Sequence, residues 1–198
     1  MKRLLLSLLV LALGAGTAFA DSMSYSWEDG IYTILGSYGD IIATNDCTYA
    51  WGGTHSLKLE DQAVSGTPQA YLAWVTGLQD GDVVTAAFYR YDVTPGAGPS
   101  VRIWGHWNDT DDINGYSGSA GGNDDYGPGE GWDCVQWTWT VADGHTGLVI
   151  EARTYSVAGD TVWVDDLCVI APQGSVIMIP DGSVPTEATS WSQVKALY

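Results

Sequence analysis

Residues 161–172, TVWVDDLCVIAP, decide how this chain is to be read. Val162, Trp163, Val164, Leu167, Val169 and Ile170 have the make-up of a buried strand, yet Asp165 and Asp166 stand side by side in its middle. Successive strand side chains point to opposite faces, so one carboxylate is expected to face inward, with Leu167 and Val169 or with Val164 and Ile170. A bare carboxylate there is strongly unfavourable unless something compensates its charge.

Working outward from that strand, the chain breaks into short runs rich in Val, Ile, Thr, Tyr and Trp, separated by Gly, Pro, Asp and Asn. Strands are expected at 31–35, 40–44, 55–60, 69–75, 83–92, 100–107, 134–141, 147–155 and 161–170. The pattern predicts an all-β protein, a β-sandwich jelly roll of eight to nine antiparallel strands over residues 21–175. In the tail, 176–198, Thr189 or Ser190 is placed to cap a short amphipathic helical segment carrying Trp191, Val194 and Leu197. That segment is expected to dock on the domain; a sorting or assembly role is the alternative.

Ahead of this lies MKRLLLSLLVLALGAGTAFA, with Lys2 and Arg3, an apolar run from Leu4 to Leu13, and Ala18-Phe19-Ala20. It has the plan of a signal peptide cleaved after Ala20, and the run is too short to span a bilayer. A secreted, extracellular protein is expected. The whole chain carries a formal charge of −17, from 24 acidic and 7 basic residues. Losing Lys2 and Arg3 makes the balance more acidic still. Such a surface disfavours nucleic acid and anionic membranes and leaves cations or neutral ligands as partners. Cys47, Cys134 and Cys168 are odd in number, so one disulfide, in any of three pairings, and one free thiol are expected.

The period of two also sorts the strand faces. Val101, Ile103 and Trp107 share one face, leaving Arg102, Trp104 and His106 on the other. Val84, Ala86 and Phe88 turn Tyr89 and Tyr91 outward; Leu148, Ile150 and Ala152 do the same for Glu151, Arg153 and Tyr155. If these strands are neighbours in one sheet, Trp104, Arg102, Tyr89, Tyr91, Arg153 and Tyr155 project from one surface. Aromatic planes beside guanidinium donors suit a glycan platform, with an ordinary solvated face as the alternative. Trp137, Trp139, Trp74 and Trp163 are read as core.

The stretch 108–133 is Gly-rich and acidic, and a loop of that length is expected to be a flexible rim carrying Tyr116, Tyr126 and Trp132. Its Asp109, Asp111, Asp112 and Gly115 miss the register of a calcium-binding helix-loop-helix.

Read in order, SWEDG (26–30), GTHSLKL (53–59), GLQDGDVVTAAFYRY (77–91), GWDCVQWTWTV (131–141) and TVWVDDLCV (161–169) resemble the landmarks of carbohydrate-binding modules of families four, nine and twenty-two. The resemblance covers about residues 25–170. It implies a galactose-binding-domain-like jelly roll that binds a polysaccharide and holds one structural calcium. The implied calcium ligands are Glu28 and Asp165, with Asp166 as the alternative to Asp165. A hard cation would then be what neutralises the inward carboxylate.

Enzymatic activity is not expected. There is no Gly-x-Ser-x-Gly elbow and no His-x-His pair, and His55, His106 and His145 stand apart. The acidic residues single out no carboxylate pair for glycoside hydrolysis. The expected function is a secreted, non-catalytic polysaccharide binder. An extracellular structural or cell-surface adhesion protein without sugar specificity is the alternative.

Overall fold

The computed structural model describes residues 20–93, 101–127, 129–155 and 157–181. Residues 1–19 of the expected leader, and the expected C-terminal helical segment, lie outside the described residues. The strands are β1 (Ala20–Tyr25), β2 (Gly36–Tyr38), β3 (Ile41–Asp46), β4 (Ser56–Asp61), β5 (Gln69–Thr76), β6 (Val83–Val93), β7 (Arg102–Trp107), β8 (Gly118–Gly122), β9 (Glu130–Thr140), β10 (Gly147–Arg153), β11 (Thr161–Pro172) and β12 (Val176–Met178). Among the described residues no helix is long and apolar enough to cross a membrane.

Two antiparallel sheets make a sandwich. Sheet A runs β3-β4-β11-β6-β9, with β1 also paired to β11; sheet B runs β12-β5-β10-β7-β8, with β2 also paired to β5. Alternation predicts the core correctly from both sides. Leu57, Leu59, Val84, Ala86, Phe88, Val162, Val164, Leu167 and Val169 of sheet A meet Leu72, Val75, Ile103, Leu148, Ile150 and Ala152 of sheet B. On β5 one extra residue is accommodated opposite Ile150 and Glu151. Tyr71 and Trp74 thereby form a small apolar cluster with Val149, separate from the main core.

The segment 31–35, expected as a strand, is a loop whose backbone is held by side chains. Asp29 accepts from the amides of Ile31 and Tyr32, Trp27 Nε1 donates to the Thr33 carbonyl at 2.7 Å, and Asn45 Nδ2 donates to that of Tyr32. These bonds take the groups a ladder would need. Trp137 is a second correction. It lies on β9, at the edge of sheet A, and stays 39% exposed, whereas Trp139 is buried with the core. Trp74 and Trp163 are buried as expected but stand outside the main core.

The cysteines are all free and exposed, contrary to the expected disulfide. Strand β6 lies between β11, which carries Cys168, and β9, which carries Cys134. Two inter-strand spacings separate those backbones by about 9–10 Å, beyond the Cα separation of about 7 Å that a disulfide spans.

Candidate functional site

The two carboxylates of β11 mark an interruption in its pairing. Residues 161–164 pair with β4 and residues 167–172 with β1, so two strands share one edge of β11 in series. On the other edge, the register with β6 slips between Asp165 and Cys168. Asp166 takes the extra position with φ of 48°, a left-handed conformation that Asp tolerates better than β-branched residues. Asp165 does not enter the core. Val162 and Val164 do, and Asp165 points to the opposite face, where it is nevertheless fully buried beneath the turn after Tyr49.

Its charge is met by backbone N–H groups. The amides of Trp51 and Gly52 donate to Asp165 Oδ2 at 2.8 and 3.1 Å, and the Asp166 amide to Oδ1 at 2.7 Å. Burial raises the Asp165 carboxyl above its ordinary range, against the opposing pull of these amides. Glu28 grips the same turn from the other side, accepting from the amides of Thr54 and His55 and from the Thr54 hydroxyl at 2.9–3.1 Å. Gly53, with φ of 68°, leaves the room this carboxylate needs, since a Cβ there would strike it. Asp166 approaches Gly52 as well. Glu28, Asp165 and Asp166 therefore converge on residues 51–55. Two of the three spend their oxygens on N–H donors, and among the described residues no group of three acidic, His or Cys side chains is placed to hold a metal ion. The donor set as it stands fits amides better than a cation.

The expected ligand face divides between the sheets. Tyr89 and Tyr91 are on β6 and Trp132 on β9, in sheet A; Arg102 and Trp104 are on β7 and Arg153 on β10, in sheet B. One continuous surface is therefore ruled out for these side chains: alternation assigns a residue to a face of its strand, and strand order decides which sheet that face belongs to.

On sheet B, register puts Arg102 opposite Arg153 and Trp104 opposite Glu151. The Arg102 guanidinium stands 4.3 Å from the centre of the half-buried Trp104 ring and that of Arg153 5.0 Å. Arg102 also covers Tyr126 at 4.9 Å, and Tyr126 meets Tyr155 edge-on at 5.9 Å. The Trp104 Nε1 donates to the Ser119 hydroxyl at 3.1 Å, and Arg102 pairs with Asp124 at 2.8 Å.

Beneath these rings lies a buried polar network that sequence reasoning did not single out. Glu151 is fully buried; its Oε1 pairs with His106 Nδ1 at 2.5 Å, and its Oε2 accepts from Arg153 Nε at 2.7 Å. With the Gln69 amide oriented to satisfy both neighbours, its nitrogen donates to Glu151 Oε1 and its oxygen accepts from Arg153 Nη2 at 3.1 Å. His106 packs between Tyr71 and Tyr116, the latter 66% exposed. Burial and the Glu151 charge push the Tyr71 phenol up to about 12. Four side-chain atoms of this face, His106 Nε2, Arg102 Nε, Tyr126 OH and Trp74 Nε1, are buried without a partner. Each is a polar atom whose hydrogen-bonding capacity the fold leaves unused. The signal for this network was present: His106 shares a strand face with Trp104, and Glu151 with Arg153.

The loop at 108–133 is partly regular, since it contains β8 and the start of β9. Tyr116 lies beside His106 and Tyr126 beside Arg102, both on sheet B, while Trp132 belongs to the other sheet. Asp109 accepts from the Thr146 amide at 2.8 Å and pairs with His145, fastening the loop to the start of β10.

The fold is that of carbohydrate-binding-module jelly rolls. The CBM22-1 xylan-binding domain of Paenibacillus barcinonensis Xyn10C is similar over 77% of this chain and 95% of its own, at 16% identity and a TM-score of 0.53. The CBM22-2 xylan-binding domain of the same protein is similar over 75% and 98%, at 18% identity and a TM-score of 0.52. The enzymatically active domain of bacteriophage CBA120 tailspike protein 4 matches 74% of this chain with 20% of its own, at 13% identity and a TM-score of 0.50. At such identities the likeness is one of fold. No family model matches the sequence, and no curated protein matches it.

Proposed function

We propose that the protein is a non-catalytic carbohydrate-binding module that takes a polysaccharide across the outer face of sheet B. The observation that carries this reading is the pair of guanidiniums set against Trp104 over the buried Glu151–His106 network. A sugar ring presents an apolar face and a rim of hydroxyls. In this reading the indole packs on the apolar face of the sugar, while Arg102 and Arg153 donate hydrogen bonds to its hydroxyl oxygens. Glu151 orients Arg153 and holds His106, so the donors keep their positions when no ligand is present. Tyr116 and Tyr126, at the rim, close over the chain from either side.

Xylan is the first polysaccharide to test, because the two Paenibacillus domains are described as xylan-binding. Secretion through the leader fits a polysaccharide substrate and belongs to the same proposal. A structural calcium at Glu28, Asp165 and Asp166 is left out of the binding scheme, since the amides already serve two of those carboxylates. The test is retention on insoluble xylan and on other plant polysaccharides. Trp104→Ala is expected to lose about 2 kcal/mol of affinity or more, roughly thirtyfold in Kd. Unchanged retention by that variant would refute sheet B as the site.

A further inference from the structure

The aromatic residues that strand order removes from the Trp104 face form a cluster of their own on the outer face of sheet A. Trp51 lies flat on Tyr89, ring centres 4.1 Å apart and planes 13° apart, and Tyr49 stacks on Tyr91 at 4.6 Å. Trp132 leans against Tyr91 at 5.1 Å and Trp51 at 6.1 Å. Register builds the floor, since Trp163, Tyr91 and Trp132 stand directly opposite one another on β11, β6 and β9.

What sets this cluster apart from scattered surface aromatics is the way it is held. Trp51 is 48% exposed and takes no part in the core, so the fold does not require it. Yet its amide and that of Gly52 are anchored on a fully buried carboxylate, Asp165. The Ser56 hydroxyl donates to the Tyr49 carbonyl at 2.5 Å, and the Trp163 indole to Asp46 at 2.9 Å. A buried carboxylate is a costly way to fix a loop. Here it fixes the backbone that carries an exposed indole, and the stack on Tyr89 places the ring, which is the preorganisation a binding surface requires.

We propose that this platform is a second polysaccharide-binding site, so that one chain carries two sites on opposite faces and bridges separate polysaccharide strands. The inference rests on the reading of sheet B as glycan-binding and adds valency to it. The occupant follows from the chemistry of the patch. By register the basic residue beside it is Lys58, opposite Trp163 and paired with Glu60 at 3.9 Å. Unlike sheet B, the platform has rings without guanidiniums, which suits a neutral pyranose chain lying flat on them. A second copy of this chain is disfavoured, because each copy carries a net charge of −17.

Soluble xylohexaose titrated calorimetrically into the full chain should bind with two sites per chain. Trp51→Ala and Trp104→Ala should each leave one, and the double variant none. Xylan-coated particles should clump with the native protein and merely be coated by either single variant. Trp132→Ala reads the same platform independently should Trp51→Ala lower the melting temperature. A single site that Trp104→Ala abolishes and that Trp51→Ala and Trp132→Ala leave intact would overturn the second site and leave the sheet B reading standing. Absence of any polysaccharide binding would overturn both. A dimer seen by light scattering and dissolved by Trp51→Ala would make the platform a contact between copies and overturn the proposal.

Discussion

The two outer faces of the sandwich are both rich in aromatic rings and differ in what stands between them. On sheet A, rings meet rings, and the charged groups lie beneath, where Asp165 and Glu28 hold the backbone that presents Trp51. On sheet B, rings alternate with guanidiniums, and the network of Glu151, His106 and Arg153 sits directly under them. The difference teaches that an exposed aromatic is immobilised in two ways: through its main chain, or through charged side-chain neighbours. On the proposed function the second way also leaves donors for a ligand, which makes sheet B the more selective of the two surfaces.

The largest effect that would break this comparison is expected at Glu151. Removing a buried carboxylate while leaving His106 buried and Arg153 mostly covered should cost about 3 to 5 kcal/mol. Glu151→Ala should therefore lower stability in denaturant unfolding as well as retention on xylan; a fully stable variant would show that the network does not hold the face. Next in size, Trp104→Ala and Trp51→Ala should separate binding from folding, each shifting the melting temperature by only a few degrees because neither ring is in the core.

A smaller effect, with a definite sign, is expected at Asp165. Burial raises its pKa in the folded state, so the stability it contributes is fully present below the ordinary carboxylate value and is lost as pH rises through the folded value. Against the non-titrating Asp165→Asn, the native protein should gain in melting temperature as pH is lowered into that window. A bound cation would depress the pKa and reverse the trend, which makes the same series a test of calcium at this turn. The smallest expected effect is that of EDTA, with an unchanged melting curve and no calcium by elemental analysis. A drop on chelation would give Glu28 and Asp165 the role that the family resemblance implied.

Much of the sandwich was legible because alternation is a local property. Val84, Ala86 and Phe88 announce their face wherever β6 ends up, and so do Leu148, Ile150 and Ala152. The short strands β2, β8 and β12 were not legible. Gly118–Gly122 has almost no side chains to alternate and pairs through its backbone with β7. The site was half legible for a related reason. Arg102, Trp104, His106, Glu151 and Arg153 could be put on strand faces, and β7 and β10 turned out to be partners. Tyr89 and Tyr91 had equal local credentials and a different sheet, which depends on pairing between strands far apart in sequence. Asp165 misled in one respect: a slipped register, invisible in composition, turned it away from the core.

The divided edge of β11 has a consequence for how the chain reaches this structure. The strand at the centre of sheet A is among the last in the sequence, and it must collect β1, β4 and β6. Glu60 finds Thr161, and Asp21 finds Ala171, only when nearly the whole domain is available. The central pairings of sheet A therefore close long loops, the regime in which β proteins fold slowly. A chain that emerges from its N-terminus stays without a completed sheet A until β11 arrives, so the edges of β1, β4 and β6 that β11 covers are left unpaired until nearly all of the domain is made.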